Sequence, residues 1–164
     1  MPTELDELFE RLRTATAPLE IEALQSGIWQ IWLSTGEPGP DKLLEAGMRA
    51  MSAGDHTLAI AEFDELIAAI PDYAEGWNKR ATAYYLRGEY RASLRDIAQT
   101  LRREPRHFGA LGGQAIILRQ LGEVRRALRV LNRLAGLCPH LPGLGEQRRE
   151  LRERLAENRD GEIG

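Results

Sequence analysis

The stretch from Ala74 to His107 decides the fold, and it reads AEGWNKRATAYYLRGEYRASLRDIAQTLRREPRH. It contains two helix-length segments that are separated by Gly88, and Pro105 follows the second segment. Glycine supplies the positive φ that ends one helix, while proline blocks the continuation of the next. The stretch therefore predicts a pair of helices that is joined by a tight turn and closed by a proline.

The same two residue types recur at a fixed interval on both sides of this stretch. Three prolines and three glycines share one constant spacing: Pro71, Pro105, Pro139, and Gly54, Gly88, Gly122. A period between about 20 and 50 residues is typical of solenoids and repeat arrays. We therefore predict a central domain of three helix-pair units, at residues 40–73, 74–107 and 108–141.

The side chains inside each unit carry a family resemblance. The middle unit has Trp77, Tyr84, Ser93 and Pro105 at its positions 4, 11, 20 and 32. Small residues occupy positions 8 and 20 of all three units: Gly47, Ala81, Ala115, and Ala59, Ser93, Ala127. This pattern resembles the tetratricopeptide repeat (TPR), which has Trp, Tyr, small residues and Pro over the same period. The resemblance covers residues 40–141, and it implies an all-α fold in which stacked helix pairs form a right-handed superhelix. The chain is similar to the small stand-alone bacterial TPR proteins with three repeats.

Amphipathic helices are predicted on both sides of the repeats. Residues 1–39 contain an apolar stripe from Leu5 to Leu12, with Thr3 as its N-cap, and a second helix that begins near Pro18. Residues 142–164 contain a mostly charged helix from about Leu144 to Glu157. End units of repeat proteins need one polar face, so we expect this segment to be a capping helix followed by a tail.

The charged residues are divided unevenly along the chain. Residues 1–76 carry 15 Asp or Glu and 4 Lys or Arg, whereas residues 77–164 carry 10 and 18, within a net charge of −3. Sequence order is also spatial order in an elongated repeat protein. We therefore expect a molecule with one acidic and one basic end.

Several functional classes are not supported by the sequence. The single cysteine, Cys138, excludes an intrachain disulfide, and no cluster of Cys and His suggests a metal site. His56, His107 and His140 lie in or beside the predicted turns, where we expect them to be solvated, and no catalytic motif accompanies them. We expect a non-enzymatic protein without a cofactor. No run of 18 apolar residues occurs, so we expect no membrane span and a cytoplasmic location.

The TPR resemblance implies a binding groove for a protein or peptide partner. In that family, positions 2, 5, 9 and 12 of each first helix face a concave surface. The candidate groove residues on this chain are Leu44, Met48, Met51, Glu75, Asn78, Thr82, Tyr85, Gly109, Gly112, Ile116 and Arg119. Asn78 is the strongest candidate, because an amide can donate to and accept from a peptide backbone at once. The alternative is that the N-terminal helices cover Leu44, Met48 and Ile116.

One partner class of the TPR family can be tested residue by residue. Repeats that bind the acidic tails of heat-shock chaperones hold two carboxylates with Lys, Asn and Arg at defined positions. The corresponding residues here are Leu44, Met48, Lys79, Gly109 and Gly113. The resemblance therefore does not extend to binding of chaperone tails.

Arginines are concentrated in the second helices of the second and third units, with Arg125, Arg126, Arg129 and Arg133 in the third. A nucleic-acid site would need exposed aromatic residues among them, whereas the aromatic residues here occupy core positions. We expect a solvated face, with an acidic protein partner as the alternative, and no nucleic-acid binding. The leading functional interpretation is a scaffold that binds an extended or helical protein segment. The alternative is self-assembly, such as a homodimer, through the acidic and basic halves.

Overall fold

The computed structural model describes the backbone of residues 1–161 and the side chains of residues 1–157. This part of the chain contains nine α-helices and no strand. The helices are α1 (Glu4–Thr14), α2 (Pro18–Trp32), α3 (Pro38–Ser52), α4 (His56–Ala69), α5 (Ala74–Leu86), α6 (Tyr90–Arg103), α7 (Phe108–Gln120), α8 (Val124–Leu137) and α9 (Leu144–Gly161). None of these described helices is both long enough and apolar enough to cross a membrane. The all-α prediction is confirmed.

The helix pairs follow the predicted period. The second helices α4, α6 and α8 begin at His56, Tyr90 and Val124, which have the same constant spacing as the turn glycines. Helices α5 and α7 begin at Ala74 and Phe108, which are the first residues of the second and third predicted units. The turns between paired helices therefore lie where the glycine spacing predicted them.

A shared backbone conformation closes each turn. Gly54, Gly88 and Gly122 have φ values of 78°, 77° and 75°. In each turn the amide after the glycine donates to a carbonyl of the preceding helix, as from Asp55 to Ala50 at 2.9 Å and from Glu123 to Leu118 at 2.8 Å. This is the Schellman pattern, which satisfies the last carbonyls of a helix. A side chain at these positions would be strained, so the glycines set where each pair reverses.

The chain forms two compact units, of which one runs from Trp32 to Gly113. This repeat unit contains α3 to α6 and the first half of α7. Its core includes Leu44, Phe63 and Leu66, which are nearly inaccessible to solvent. The α3–α4 contact is close because Gly47 faces the Phe63 ring, and a β-carbon at Gly47 would lie 2.3 Å from the nearest ring atom.

An ion-pair network joins the two helix pairs of the repeat unit. The guanidinium of Arg80 on α5 donates to both carboxylate oxygens of Asp96 on α6, at 2.7 and 2.9 Å. It also donates to Asp64 on α4 at 2.6 Å. These hydrogen bonds raise the pKa of Arg80, with the Asp96 bonds contributing most. Because Asp96 is buried, the carboxylate depends on this cation for its stability in the interior.

The other compact unit combines Met1–Ile31 with the chain from Gln114 onward. Thr3 caps α1 as predicted, and its side chain accepts from the amide of Asp6. Helix α1 packs on α8, and α8 packs on α9. The expectation of separate acidic and basic ends is therefore wrong, because the acidic α1 and the arginine-rich α8 share one unit. Sequence order is not spatial order here, since α1 packs on α8 of the third helix pair.

Gly47 and Gly112 offer a matched pair of helix glycines for a stability test. Replacing Gly112 by alanine adds a methyl with nothing within 4 Å, so the free energy of unfolding should rise by up to about 1 kcal/mol. Gly47→Ala forces the same methyl into the Phe63 ring, and overpacking should lower the free energy of unfolding by about 2 kcal/mol. Urea denaturation followed by circular dichroism measures both. A stabilised Gly47→Ala protein would contradict the close α3–α4 contact.

The Arg80–Asp96 pair can be tested by a double-mutant cycle. Arg80→Gln leaves a buried carboxylate without its cation, so the free energy of unfolding should fall by about 3 kcal/mol. Arg80→Gln combined with Asp96→Val also removes the carboxylate, so most of that loss should be recovered. Urea denaturation of the two single variants and the double variant gives the coupling energy. Additive losses would show that the two side chains do not depend on each other.

Candidate functional site

The predicted groove residues lie on the first helix of each pair. Helix α3 carries Leu44, Met48 and Met51, α5 carries Glu75, Asn78, Thr82 and Tyr85, and α7 carries Gly109, Gly112, Ile116 and Arg119. Ile116 and Arg119 belong to the other unit, and all the remaining candidates belong to the repeat unit. The candidates are therefore divided between the two compact units.

Three of the predicted groove residues are buried. Leu44 is 3% exposed and belongs to the core of the α3–α4 pair. Glu75 and Asn78 are 1% and 7% exposed, although they carry the polar groups from which a contact with a peptide was predicted. In this structure these three side chains are not accessible to a partner. The expectation that Asn78 is the leading contact residue is corrected accordingly.

Glu75 is the centre of a buried polar cluster. One of its carboxylate oxygens lies 2.7 Å from Nε2 of His107. The other accepts from the side-chain amide of Asn78 at 3.1 Å and lies 3.3 Å from the Lys79 ammonium. A buried carboxylate is stable when donors surround it. The amide of Asn78 is therefore used inside the protein to hold Glu75.

His107 is completely buried, so the expectation that it is a solvated turn residue is wrong. Its Nδ1 accepts from the backbone amide of Ala110 at 3.0 Å, and the ring thereby caps the first turn of α7. Because Nδ1 is an acceptor, the hydrogen of the neutral ring is on Nε2, which donates to Glu75. Both ring nitrogens are used for structure, which fixes the tautomer and orientation of the imidazole.

Trp32 covers the polar cluster. Its ring stacks on His107, with centroids 4.2 Å apart and planes inclined by 10°, and its centroid lies 5.1 Å from that of the Phe108 ring. The Tyr73 hydroxyl donates to the Trp32 carbonyl. Burial raises the pKa of Tyr73 and nearby carboxylates raise it further, so the phenol keeps the proton that it donates. Trp32 is itself buried, since it is 8% exposed.

Two residues that contact Trp32, Tyr73 and His107, occupy the same position in successive repeats. Tyr73 is the last residue of the first unit, and His107 is the last residue of the second. Each stands directly before a first helix, α5 or α7. A polar aromatic residue at the same position of two successive units was the one signal in the sequence that could have indicated this contact. The position of His107 beside a predicted turn indicates solvent exposure instead, so the contact with Trp32 was not predicted.

The accessible groove candidates of the repeat unit lie toward the carboxyl ends of α3 and α5 and at the start of α7. Thr82 is exposed, while Met51 and Tyr85 are half-buried. The Tyr85 ring contacts the Tyr90 ring at a centroid distance of 5.7 Å. Met48, Gly109 and Gly112 are also half-buried. This surface offers aromatic and thioether groups to a partner. The Thr82 hydroxyl donates to the Asn78 carbonyl at 3.1 Å, so it offers a partner an acceptor.

The two candidates in the other unit differ in their surroundings. Ile116 is 48% exposed, so it is not covered as the alternative interpretation had it. The Arg119 guanidinium donates to both carboxylate oxygens of Glu150 on α9, at 3.2 Å each. Arg119 is thus already occupied by a neighbouring helix.

The adjacent Gly112 and Gly113 of α7 both leave room for a side-chain carbon. A β-carbon at Gly113 would meet Ile97 at 3.7 Å, which is an ordinary van der Waals distance. A β-carbon at Gly112 would meet nothing within 4 Å. Packing with the rest of the protein therefore requires a glycine at neither position.

Comparisons with known proteins identify the family of the repeats. The sequence profile described as tetratricopeptide repeat matches residues 44–90 and 78–142, which together cover more than half of the chain. A TPR repeat-containing protein from Rhizobium etli is 37% identical over 155 residues, covering 94% of this chain and 76% of the relative. Tetratricopeptide repeat protein 36 of Xenopus tropicalis is 35% identical over 75 residues, covering 46% of this chain and 37% of the relative.

Solved structures share the fold at low sequence identity. The first TPR domain of Spaghetti (RPAP3), bound to the HSP90 peptide SRMEEVD, gives a TM-score of 0.66 at 19% identity, covering 71% of this chain and 95% of that one. The Sgt2 TPR domain from Aspergillus fumigatus gives 0.67 at 16% identity, covering 76% and 83%. The helix pairs, the glycine turns and these similarities agree, and the chain belongs to the tetratricopeptide repeat family.

Proposed function

We propose that the protein is a non-enzymatic scaffold that binds an extended or helical segment of a protein partner. The binding surface is the face of the first helices in the repeat unit, at Met51, Thr82 and Tyr85. The observation that carries the proposal is the exposure of Thr82 beside the half-exposed Tyr85 on α5. A first helix that presents such groups offers both apolar contact and hydrogen bonding to a partner.

The family supports a role in binding proteins. The Spaghetti TPR domain, which shares the fold, carries an HSP90 peptide. The TPR2B domain of yeast Sti1 was likewise solved with an HSP70 peptide, and it covers 70% of this chain at a TM-score of 0.63. These two TPR domains bind segments of other proteins, and we infer that this chain does so as well.

The partner of this chain differs in chemistry from a chaperone tail. The positions of a two-carboxylate clamp hold Leu44, Met48, Lys79, Gly109 and Gly113. Leu44 is buried in the core, and Lys79 lies 3.3 Å from a Glu75 oxygen. Neither is available to a free carboxylate, so the proposed segment is bound by apolar contacts and neutral hydrogen bonds.

Site-specific photocrosslinking in cells tests the proposal. A benzophenone amino acid is placed at Thr82 or at Tyr85, and a control is placed at Ala98, which is exposed on the second helix α6. The first two positions should yield the same discrete protein adduct, and the control should not. Thr82→Arg should then weaken capture of that protein by about tenfold, because a cation replaces a neutral contact. Adducts of equal yield at all three positions, or none at Thr82 and Tyr85, would refute the proposed surface.

A further inference from the structure

The second and third repeats differ in the polar side chains that fill the space between their paired helices. In the second repeat, Arg80 and Asp96 form the largely buried ion pair that joins α5 to α6. At the same repeat positions, the third repeat has Gln114 and Val130. The third repeat therefore has neither the internal cation nor the internal carboxylate of the second.

A cleft of about 280 Å³ lies between α7 and α8 of the third repeat, and Gln114 and Val130 are among the residues that line it. Leu118 and Val130 form its apolar part, and Gln114 provides an amide. The other lining residues are three arginines of α8: Arg126, Arg129 and Arg133.

Two of these arginines have no basic counterpart in the second repeat. At the equivalents of Arg126 and Arg133 the second repeat has Ala92 and Gln99. At these positions the second helix of the third repeat carries two more basic residues and one fewer acidic residue than that of the second repeat.

Two of the cations at this cleft are poorly neutralised from within the protein. Arg126 and Arg129 are exposed, and the contact of Arg126 is with Glu123, at 3.6 Å. An exposed pair of that length contributes little. Within residues 1–157, Arg129 forms no ion pair. Two guanidinium groups beside an apolar cleft are suited to a ligand that carries carboxylates around an aliphatic side chain.

We propose that the cleft between α7 and α8 binds an acidic segment of a protein, in which carboxylates flank an aliphatic residue. The aliphatic side chain packs on the half-buried Val130, since Leu118 is itself buried, and the carboxylates pair with Arg126 and Arg129. No aromatic residue lines the cleft, so the base stacking that would hold a single-stranded nucleic acid is missing. The cleft uses none of the residues of the proposed first-helix surface, so the two proposals stand independently.

Binding of defined probes to the full chain tests this inference. The probes are a fluorescein-labelled hexapeptide Glu-Glu-Leu-Glu-Leu-Glu, its analogue with glutamine at every glutamate, and a labelled single-stranded oligonucleotide of equal charge. Fluorescence anisotropy at low salt measures each dissociation constant. The acidic peptide should bind at least about tenfold more tightly than the glutamine analogue, and its affinity should fall as salt increases. The oligonucleotide should bind more weakly than the acidic peptide.

Two variants with a matched control identify the cleft. Gln114→Arg with Val130→Asp restores the ion pair of the second repeat without changing the net charge, and it should weaken binding by about tenfold because the cleft is filled. Arg126→Gln with Arg129→Gln should weaken binding by a similar factor. Arg91→Gln with Arg95→Gln removes the same charge from exposed positions of α6, and it should change affinity by less than about twofold. Circular dichroism verifies that all three double variants are folded.

Several results would overturn the proposal. Equal affinities for the acidic and glutamine peptides would show that the carboxylates of the ligand do not contribute to binding. An equal loss in the Arg91/Arg95 control would mean that only net charge matters. Unchanged binding after Gln114→Arg with Val130→Asp would place the peptide elsewhere, and tighter binding of the oligonucleotide would make the arginine surface a nucleic-acid site.

Discussion

The positive φ of one glycine in each turn is the constraint on which the helix pairs depend. It allows the amide that follows the glycine to reach back to a carbonyl of the preceding helix, as from Glu89 to Tyr84 at 2.9 Å. The chain therefore reverses within a few residues, and the two helices are held side by side. Close contacts such as that between Gly47 and Phe63 require this arrangement, because they join the middle of one helix to the middle of the next.

The hairpins could be predicted from the sequence because their determinants are local and periodic. Gly54, Gly88 and Gly122 act on their own turns, and Thr3 acts on the first turn of its own helix. The predicted starts of α5 and α7 at Ala74 and Phe108 are correct for the same reason. Short-range signals of this kind do not depend on how distant parts of the chain meet.

The candidate site was less predictable because its determinants are long-range. The interaction between Glu75 and His107 joins two different repeats, and the stacking of Trp32 on His107 joins residues still further apart in sequence. Nothing in the residues around His107 indicates that its ring is buried. The predicted separation of charge failed likewise, since the contact between α1 and α8 joins opposite halves of the sequence. A repeat pattern predicts which helix pairs form, but not what packs on their surfaces.

The contact of Trp32 with residues of two repeats has a consequence for the evolution of the array. Tyr73 and His107 occupy the same place in their repeats, yet one hydrogen bonds to the Trp32 carbonyl and the other stacks on its ring. Repeat arrays commonly lengthen or shorten by duplication or deletion of whole units. Here, loss or exchange of a unit would present Trp32 with the wrong side chain. The first two units are therefore not interchangeable, because each supplies a different side chain to Trp32.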